Sequence, residues 1–293
     1  MSDILDIRDL TLAFRNWAGL STVLHGIDLR IARGERVALV GESGSGKSVT
    51  ARIVLGTMQD TPGARIGGQV RFDGRDMAAM GKAERRAIRG TAMSMIFQDP
   101  TTALNPVFTI GALMHEVLRR GAPGITLDKA RARAGAILRE VSIDDPDRVL
   151  DSYAFQLSGG MNQRVMIAMS LLNEPKLLLA DEPGTALDVT VQAQTLGLMR
   201  RLMESHGTSV LFISHNLGVV REFADRIYVI YRGRIVERGP TASIFADPRH
   251  PYTRTLLAAI PRLTGGGIPE IEERSERFLD PMESHDEDAA GAA

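Results

Sequence analysis

The apolar positions of this chain change rhythm twice. Residues 5–14 and 22–31 are rich in β-formers and partly alternate apolar with polar, with a turn-like segment at 16–21 between them. That pattern predicts an antiparallel pair leading into a strand at Arg36–Val40. Helix-forming sequence follows at 49–55, then a short strand at 68–72 ending in the turn pair Asp73 and Gly74. The apolar run MSMIF at 93–97 is of the kind found in buried strands. From Asn105 to about Leu172 the character becomes helical, most plainly at 127–141 and 161–172. Strand signals return at 176–180, 209–213 and 227–231, alternating with helical stretches at 189–205 and 217–223. Such alternation predicts a parallel sheet with helices on both faces, interrupted by an inserted helical subdomain.

Composition narrows this picture without changing it. The 293 residues are 44% apolar and 24% charged, ordinary for a globular chain with a buried core. The formal net charge of −1 is uneven: from Glu270 onward nine acidic residues face only Arg274 and Arg277, leaving −7 there and +6 elsewhere. A mildly basic body suits a polyphosphate ligand but lacks the footprint of a nucleic-acid binder. The last stretch reads as a flexible acidic tail. Zero cysteines exclude disulfides, thiolate zinc sites and cysteine-held iron–sulfur clusters. The N-terminal MSDILDIRDL lacks the pattern of a signal peptide, and no apolar stretch approaches the ~20 residues needed to cross a bilayer. The expected location is cytoplasmic, with any membrane association made through a partner.

The run GESGSGKS at 41–48 supplies the first chemistry. It fits G-x-x-x-x-G-K-[ST], follows the apolar residues 37–40 and opens a helix. In that setting the glycines let backbone N–H groups wrap an anion, and the helix N-terminus adds its positive dipole end. The expected nucleotide-binding set is Gly41, Glu42, Ser43, Gly44, Ser45, Gly46, Lys47, Ser48 and Val49, with Lys47 on the β- and γ-phosphates and Ser48 on Mg²⁺. A second element, LLLADEP at 177–183, delivers two carboxylates at the end of a buried strand. There Asp181 is expected to hold Mg²⁺ and Glu182 to polarise water for attack on the γ-phosphorus.

LSGGMNQR at 157–164 decides among phosphate-loop proteins. With it the chain resembles the ATP-binding subunits of ABC transporters over about residues 5–263. The resemblance implies a RecA-like P-loop NTPase core (1–98 and 175–263), with an antiparallel β subdomain and an inserted α-helical subdomain (99–174), followed by the tail at 264–293. It implies that Ser158, Gly159, Gly160 and Met161 meet the γ-phosphate held by a second subunit in a head-to-tail dimer. It further assigns Gln98 to the Q-loop, touching Mg²⁺ and water, and Asp188 to the D-loop across the dimer. His215 becomes the switch histidine on the γ-phosphate, and Phe14 the aromatic that stacks on adenine.

Three runs resemble the peptide, dipeptide and nickel importer branch: FQDPTTALNP at 97–106, ALDVTVQAQ at 186–194 and HPYTRTLLAAIP at 250–261. That branch implies ATP and Mg²⁺, two membrane permeases and a solute-binding protein. It also implies a second ATP-binding subunit, more often a different chain, and a place on the cytoplasmic face of the membrane. The expected solute is a peptide; nickel, an opine or another small solute are alternatives, as is a non-transport ATPase acting on nucleic acid or ribosomes. The chain departs from its branch in lacking the cysteine-rich cluster segment, and in Gly184 and Asn216, which stand where Thr and Asp are usual.

Overall fold

The computed structural model describes residues 3–17, 19–98, 103–184, 189–259 and 278. Asp188 and the expected tail, apart from Phe278, lie outside the described residues. The first elements in chain order are β1 (Leu5–Asn16), β2 (Gly19–Ile31), β3 (Arg36–Val40), α1 (Lys47–Val54), β4 (Ala64–Phe72) and β5 (Arg75–Asp76). Next come α2 (Lys82–Ile88), β6 (Met93–Ile96), α3 (Ile110–Gly121), α4 (Leu127–Glu140), α5 (Pro146–Asp151), a 3₁₀ turn (Ala154–Gln156) and α6 (Gly159–Leu171). The remainder comprises β7 (Leu177–Asp181), α7 (Val189–His206), β8 (Ser209–Ser214), α8 (Leu217–Phe223), β9 (Arg226–Tyr231), β10 (Arg234–Pro240), α9 (Thr241–Ala246) and α10 (Pro251–Ala258). They fall into two compact units, Met1–Ala79 with Leu211–Ala293, and Met80–Val210, the division passing through β8.

In the first unit β2, β1, β4 and β5 form an antiparallel sheet in that order. The imperfect alternation of the sequence has a physical cause here. Leu5 and Ile7 are buried at odd positions, Leu10 and Leu12 at even ones, because a bulge between Ile7 and Leu10 resets the phase. Asp9 takes φ 46 at that bulge, and the facing strand answers with Gly68 at φ 79. A Cβ on Gly68 would lie 2.1 Å from the Asp9 carbonyl oxygen, so the close approach requires glycine. The turn expected over 16–21 is tighter than the sequence pattern suggests, since Asn16 already pairs with Gly19.

The second sheet of this unit runs β10-β9-β3-β8. Its β3 is buried along Val37–Val40 and pairs in parallel with β9, while β10 returns antiparallel to β9. Beyond Tyr231 the sequence pattern predicts no strand or helix, yet β10, α9 and α10 follow in close succession.

In the second unit β6 and β7 pair in parallel, from Met93 and Leu177 to Ile96 and Ala180. The long helical stretch resolves into separate helices, and the sequence marks each start. Thr109, Thr126, Asp145 and Ser158 each accept, through a side-chain oxygen, the N–H three residues on: Ala112 at 3.3 Å, Lys129 at 3.4 Å, Arg148 at 3.1 Å and Met161 at 3.3 Å. Arg131 of α4 clamps α5 through Asp147 and Asp151, at 3.1 and 2.7 Å. Together these elements make the RecA-like core, antiparallel β subdomain and helical insertion expected from the sequence.

Candidate functional site

The first unit carries the phosphate loop. β3 ends at Val40, residues 41–46 form the loop, and α1 begins at Lys47. Gly41 leaves the strand pressed against β9: a Cβ there would stand 2.1 Å from the Ile230 carbonyl oxygen. Lys47 is only 5% exposed, and its ammonium donates to the carbonyls of Gly41 and Glu42, each at 2.7 Å. The loop is braced from both sides, Ser45 N–H donating to Glu42 O at 3.2 Å and Gly233 N–H to Ser45 O at 2.9 Å. Ser45 Oγ is buried with no hydrogen-bond partner among the described residues. A buried ammonium, an orphaned hydroxyl and a helix N-terminus are the donor set an anion requires. Ser48 and Val49 follow as the second and third residues of α1.

Phe14 sits half-buried on β1, opposite Ser21 and Ala64, while Trp17 just beyond it is fully exposed. His215 is exposed immediately after β8, which neighbours β3. Asn216 caps α8, its Oδ1 accepting Gly218 N–H at 3.0 Å and Val219 N–H at 3.3 Å. Asparagine caps a helix as well as aspartate does, so this departure keeps the local structure.

The second unit carries the carboxylates. Asp181 is the buried last residue of β7, and Glu182 follows at φ 50, outside the strand conformation. The turn sets the Glu182 carboxylate to accept from Gln98 Nε2 at 3.1 Å, Gln98 standing just past the neighbouring strand β6. Gly184 lies at φ 91, a conformation that the threonine usual at this position would strain to reach. Ser158 caps α6 and, with Gly159, is exposed, so a thirteen-residue helix presents its N-terminus to solvent; Gly160 and Met161 are half-buried behind them.

One contact escaped the sequence reading. The Glu42 N–H, inside the phosphate loop, donates to the Tyr252 hydroxyl oxygen at 3.0 Å. The HPYT run was visible in the sequence, but nothing in it pointed to the loop.

A buried parallel strand, a glycine-bounded loop with a buried lysine and a helix beginning at that lysine define a phosphate-loop nucleotide-binding protein. The chain belongs to the ABC transporter family of ATP-binding proteins. The family profile described as "ABC transporter" matches residues 24–185, and that of the "Oligopeptide/dipeptide transporter, C-terminal region" matches residues 236–285. The chain is 49% identical over 259 residues to the "Peptidoglycan transport ATP-binding protein YejF" of Agrobacterium fabrum, covering 88% of this chain and 47% of that one. It thus spans about half the length of that curated relative. It is 44% identical over 268 residues to the "Oligopeptide transport ATP-binding protein OppD" of Bacillus subtilis, covering 92% of this chain and 75% of that one. Among solved structures, the dimeric post-hydrolysis state of the ATP-binding cassette MJ0796 bound to ADP and Pi is similar, with TM-score 0.71 and 27% identity. That match covers 81% of this chain and 98% of the solved one.

Proposed function

We propose that this chain is the ATP-binding and ATP-hydrolysing subunit of an importer that takes up peptides across the cytoplasmic membrane. The observation that carries the reading is a phosphate loop with a buried lysine in the same chain as the C-terminal region of oligopeptide and dipeptide transporters. Among the described residues no helix is long and apolar enough to cross a membrane; in this reading membrane-spanning partners carry the translocation. Exposed apolar side chains in the helical unit support a docking role: Val107 and Phe108 precede Thr109, which bridges to Tyr153, and Tyr153 stacks on Phe155. The partners are two permeases, a solute-binding protein and a second ATP-binding subunit, with this chain peripheral on the cytoplasmic face. The 49% identity to a peptidoglycan-transport protein favours one variant of the reading, in which the peptide solute is a cell-wall fragment.

In this reading the loop N–H groups and the Lys47 ammonium hold the β- and γ-phosphates, and Phe14 stacks on the adenine. Ser48, Asp181 and Gln98 would hold Mg²⁺, which would neutralise charge on the phosphates. Glu182 orients the attacking water and accepts its proton, while His215 donates to the γ-phosphate. Ser158, Gly159, Gly160 and Met161 donate from the exposed end of α6 to the nucleotide on the second subunit, and Asp188 reaches the same interface.

The experiment is reconstitution of the chain with its permeases in vesicles, supplied with solute-binding protein and labelled di- to pentapeptides or cell-wall peptides. ATP-dependent accumulation, abolished by Lys47→Ala, is expected. ATP turnover that neither needs the permeases nor responds to any peptide would remove the import reading and leave the ATPase.

A further inference from the structure

The peptide joining Gly41 to Glu42 is held from both edges. Its carbonyl accepts the Lys47 ammonium at 2.7 Å, and its N–H donates to the Tyr252 hydroxyl at 3.0 Å. No described peptide bond is cis, so these two groups point in opposite directions from one rigid plane. Rotation of that plane breaks both bonds together.

Tyr252 is itself firmly seated. It is 1% exposed, and its ring packs against Tyr231 and Phe278, with centroids 4.5 and 5.8 Å away. The start of its helix is fixed by Glu237, whose carboxylate accepts the N–H groups of Arg249 at 2.8 Å and His250 at 3.0 Å. His250 Nδ1 in turn accepts the Tyr252 N–H at 3.2 Å. The adjacent tyrosine gives the contrast: the Tyr231 hydroxyl is buried with no hydrogen-bond partner among the described residues. Of two buried phenols in one aromatic cluster, only that of Tyr252 is directed at the phosphate loop. Burial also pushes the Tyr252 phenol well above its usual range, so it stays neutral at every working pH.

We propose that Tyr252 is a positioning residue for nucleotide binding: it orients the Gly41–Glu42 peptide, and through it the Lys47 ammonium, so that the C-terminal HPYT element sets the affinity of the phosphate loop. The inference rests on the nucleotide-binding reading given above. Removing the hydroxyl leaves the ring packing intact but frees the peptide to rotate, and the loop must then be ordered by the nucleotide at the expense of binding.

The test measures equilibrium ATP binding and steady-state turnover of the full chain carrying Tyr252→Phe, with Tyr231→Phe and Lys47→Ala alongside. Tyr252→Phe is expected to raise the ATP Kd about 3- to 10-fold, the effect of one ordinary hydrogen bond. Its turnover at saturating ATP should stay within about twofold of the parent. Hydrogen exchange at the Glu42 amide of the nucleotide-free variant should quicken by about tenfold, with little change elsewhere. Tyr231→Phe should match the parent. A Tyr252→Phe Kd equal to that of the parent while Lys47→Ala loses binding overturns the inference and spares the nucleotide reading. An equal loss in Tyr231→Phe also overturns it, because the effect then belongs to the aromatic cluster and not to the hydroxyl. ATP binding undiminished in Lys47→Ala removes the nucleotide reading and this inference with it.

Discussion

Gln98 Nε2 donates to Glu182 Oε2 at 3.1 Å, joining residues 84 positions apart from the ends of two neighbouring parallel strands. The bond takes up one lone pair of the carboxylate and aims the group, and the turn at φ 50 lifts it clear of β7. If Glu182 is the base, Glu182→Gln keeps the size and the neighbour but loses the proton acceptor. ATP affinity should then stay near that of the parent while turnover falls by at least about 100-fold. Paired binding and single-turnover measurements separate the two effects, and an unchanged turnover would falsify the role given to Glu182.

Gln98 holds that carboxylate through its Nε2, in addition to the place at Mg²⁺ proposed for it. Gln98→Ala removes one charge-assisted hydrogen bond and is expected to slow turnover by about tenfold, well short of the Glu182→Gln loss. Gln98→Glu sets a second carboxylate against the first. Like charges this close raise the apparent pKa of the pair, so the turnover profile should move to higher pH. A profile that stays in place in Gln98→Glu would mean that the two side chains are not in contact during catalysis.

The parts of the site that were legible in the sequence are contiguous. Strand, GESGSGKS and helix follow one another without interruption, so the loop's geometry is local and its residues announce it. The same holds for LLLADEP and for the cap at Ser158. What stayed hidden depends on distance. The Tyr252–Glu42 bond spans 210 residues, and nothing in the local pattern of either segment encodes it. β10 escaped for a different reason: RIVERGP carries a buried Glu237 at a position where apolar alternation calls for a hydrophobe. The division of the helical stretch was readable, since Thr109, Thr126 and Asp145 are capping residues, but helical periodicity obscured the breaks between them.

Ser158 serves two purposes that mutation can separate. As a cap it accepts Met161 N–H at 3.3 Å, and Ser158→Ala should cost about 1 kcal/mol of stability together with most of the ATPase activity. Ser158→Asp caps the helix at least as well and suits its dipole, so thermal stability should be kept. It also puts a negative charge where the second subunit's γ-phosphate is expected. ATPase activity and ATP-dependent dimerisation, read by light scattering, should both be abolished in a fully folded protein. Dimerisation retained in Ser158→Asp would place the nucleotide elsewhere.

Glu237 anchors the C-terminal element from a position only 1% exposed. Its two oxygens accept the N–H groups of Arg249 and His250, so Glu237→Ala strands two backbone donors. A loss of about 2–4 kcal/mol is expected, seen as a melting temperature lower by about 5–10 °C. Glu237→Gln keeps one good acceptor and should lose roughly half as much. Equal losses in both variants would indicate that the charge, and not the pair of acceptors, holds the segment.

His25 gives the fold a mild sensitivity to acid. Its backbone N–H donates to Gly233 O at 2.8 Å, and its ring lies against Gly233, where an added Cβ would come within 3.0 Å of Cδ2. Partial burial first, and then the positive charge of Arg234, hold the imidazole pKa below its ordinary value. In the interval between that lowered pKa and about 6.5 the unfolded chain therefore binds more protons than the folded one. Stability rises with pH across that interval, and acidification from neutrality removes it until the folded pKa is passed. His25→Gln removes the titration, so its denaturation midpoint should change less than the parent's between about pH 7 and 5. Urea titrations at half-unit steps measure the difference. Parallel curves for the two proteins would assign the acid sensitivity to the carboxylates, among them Asp76, whose pKa is lowered first by the Gln69 amide and then by the Ala78 N–H.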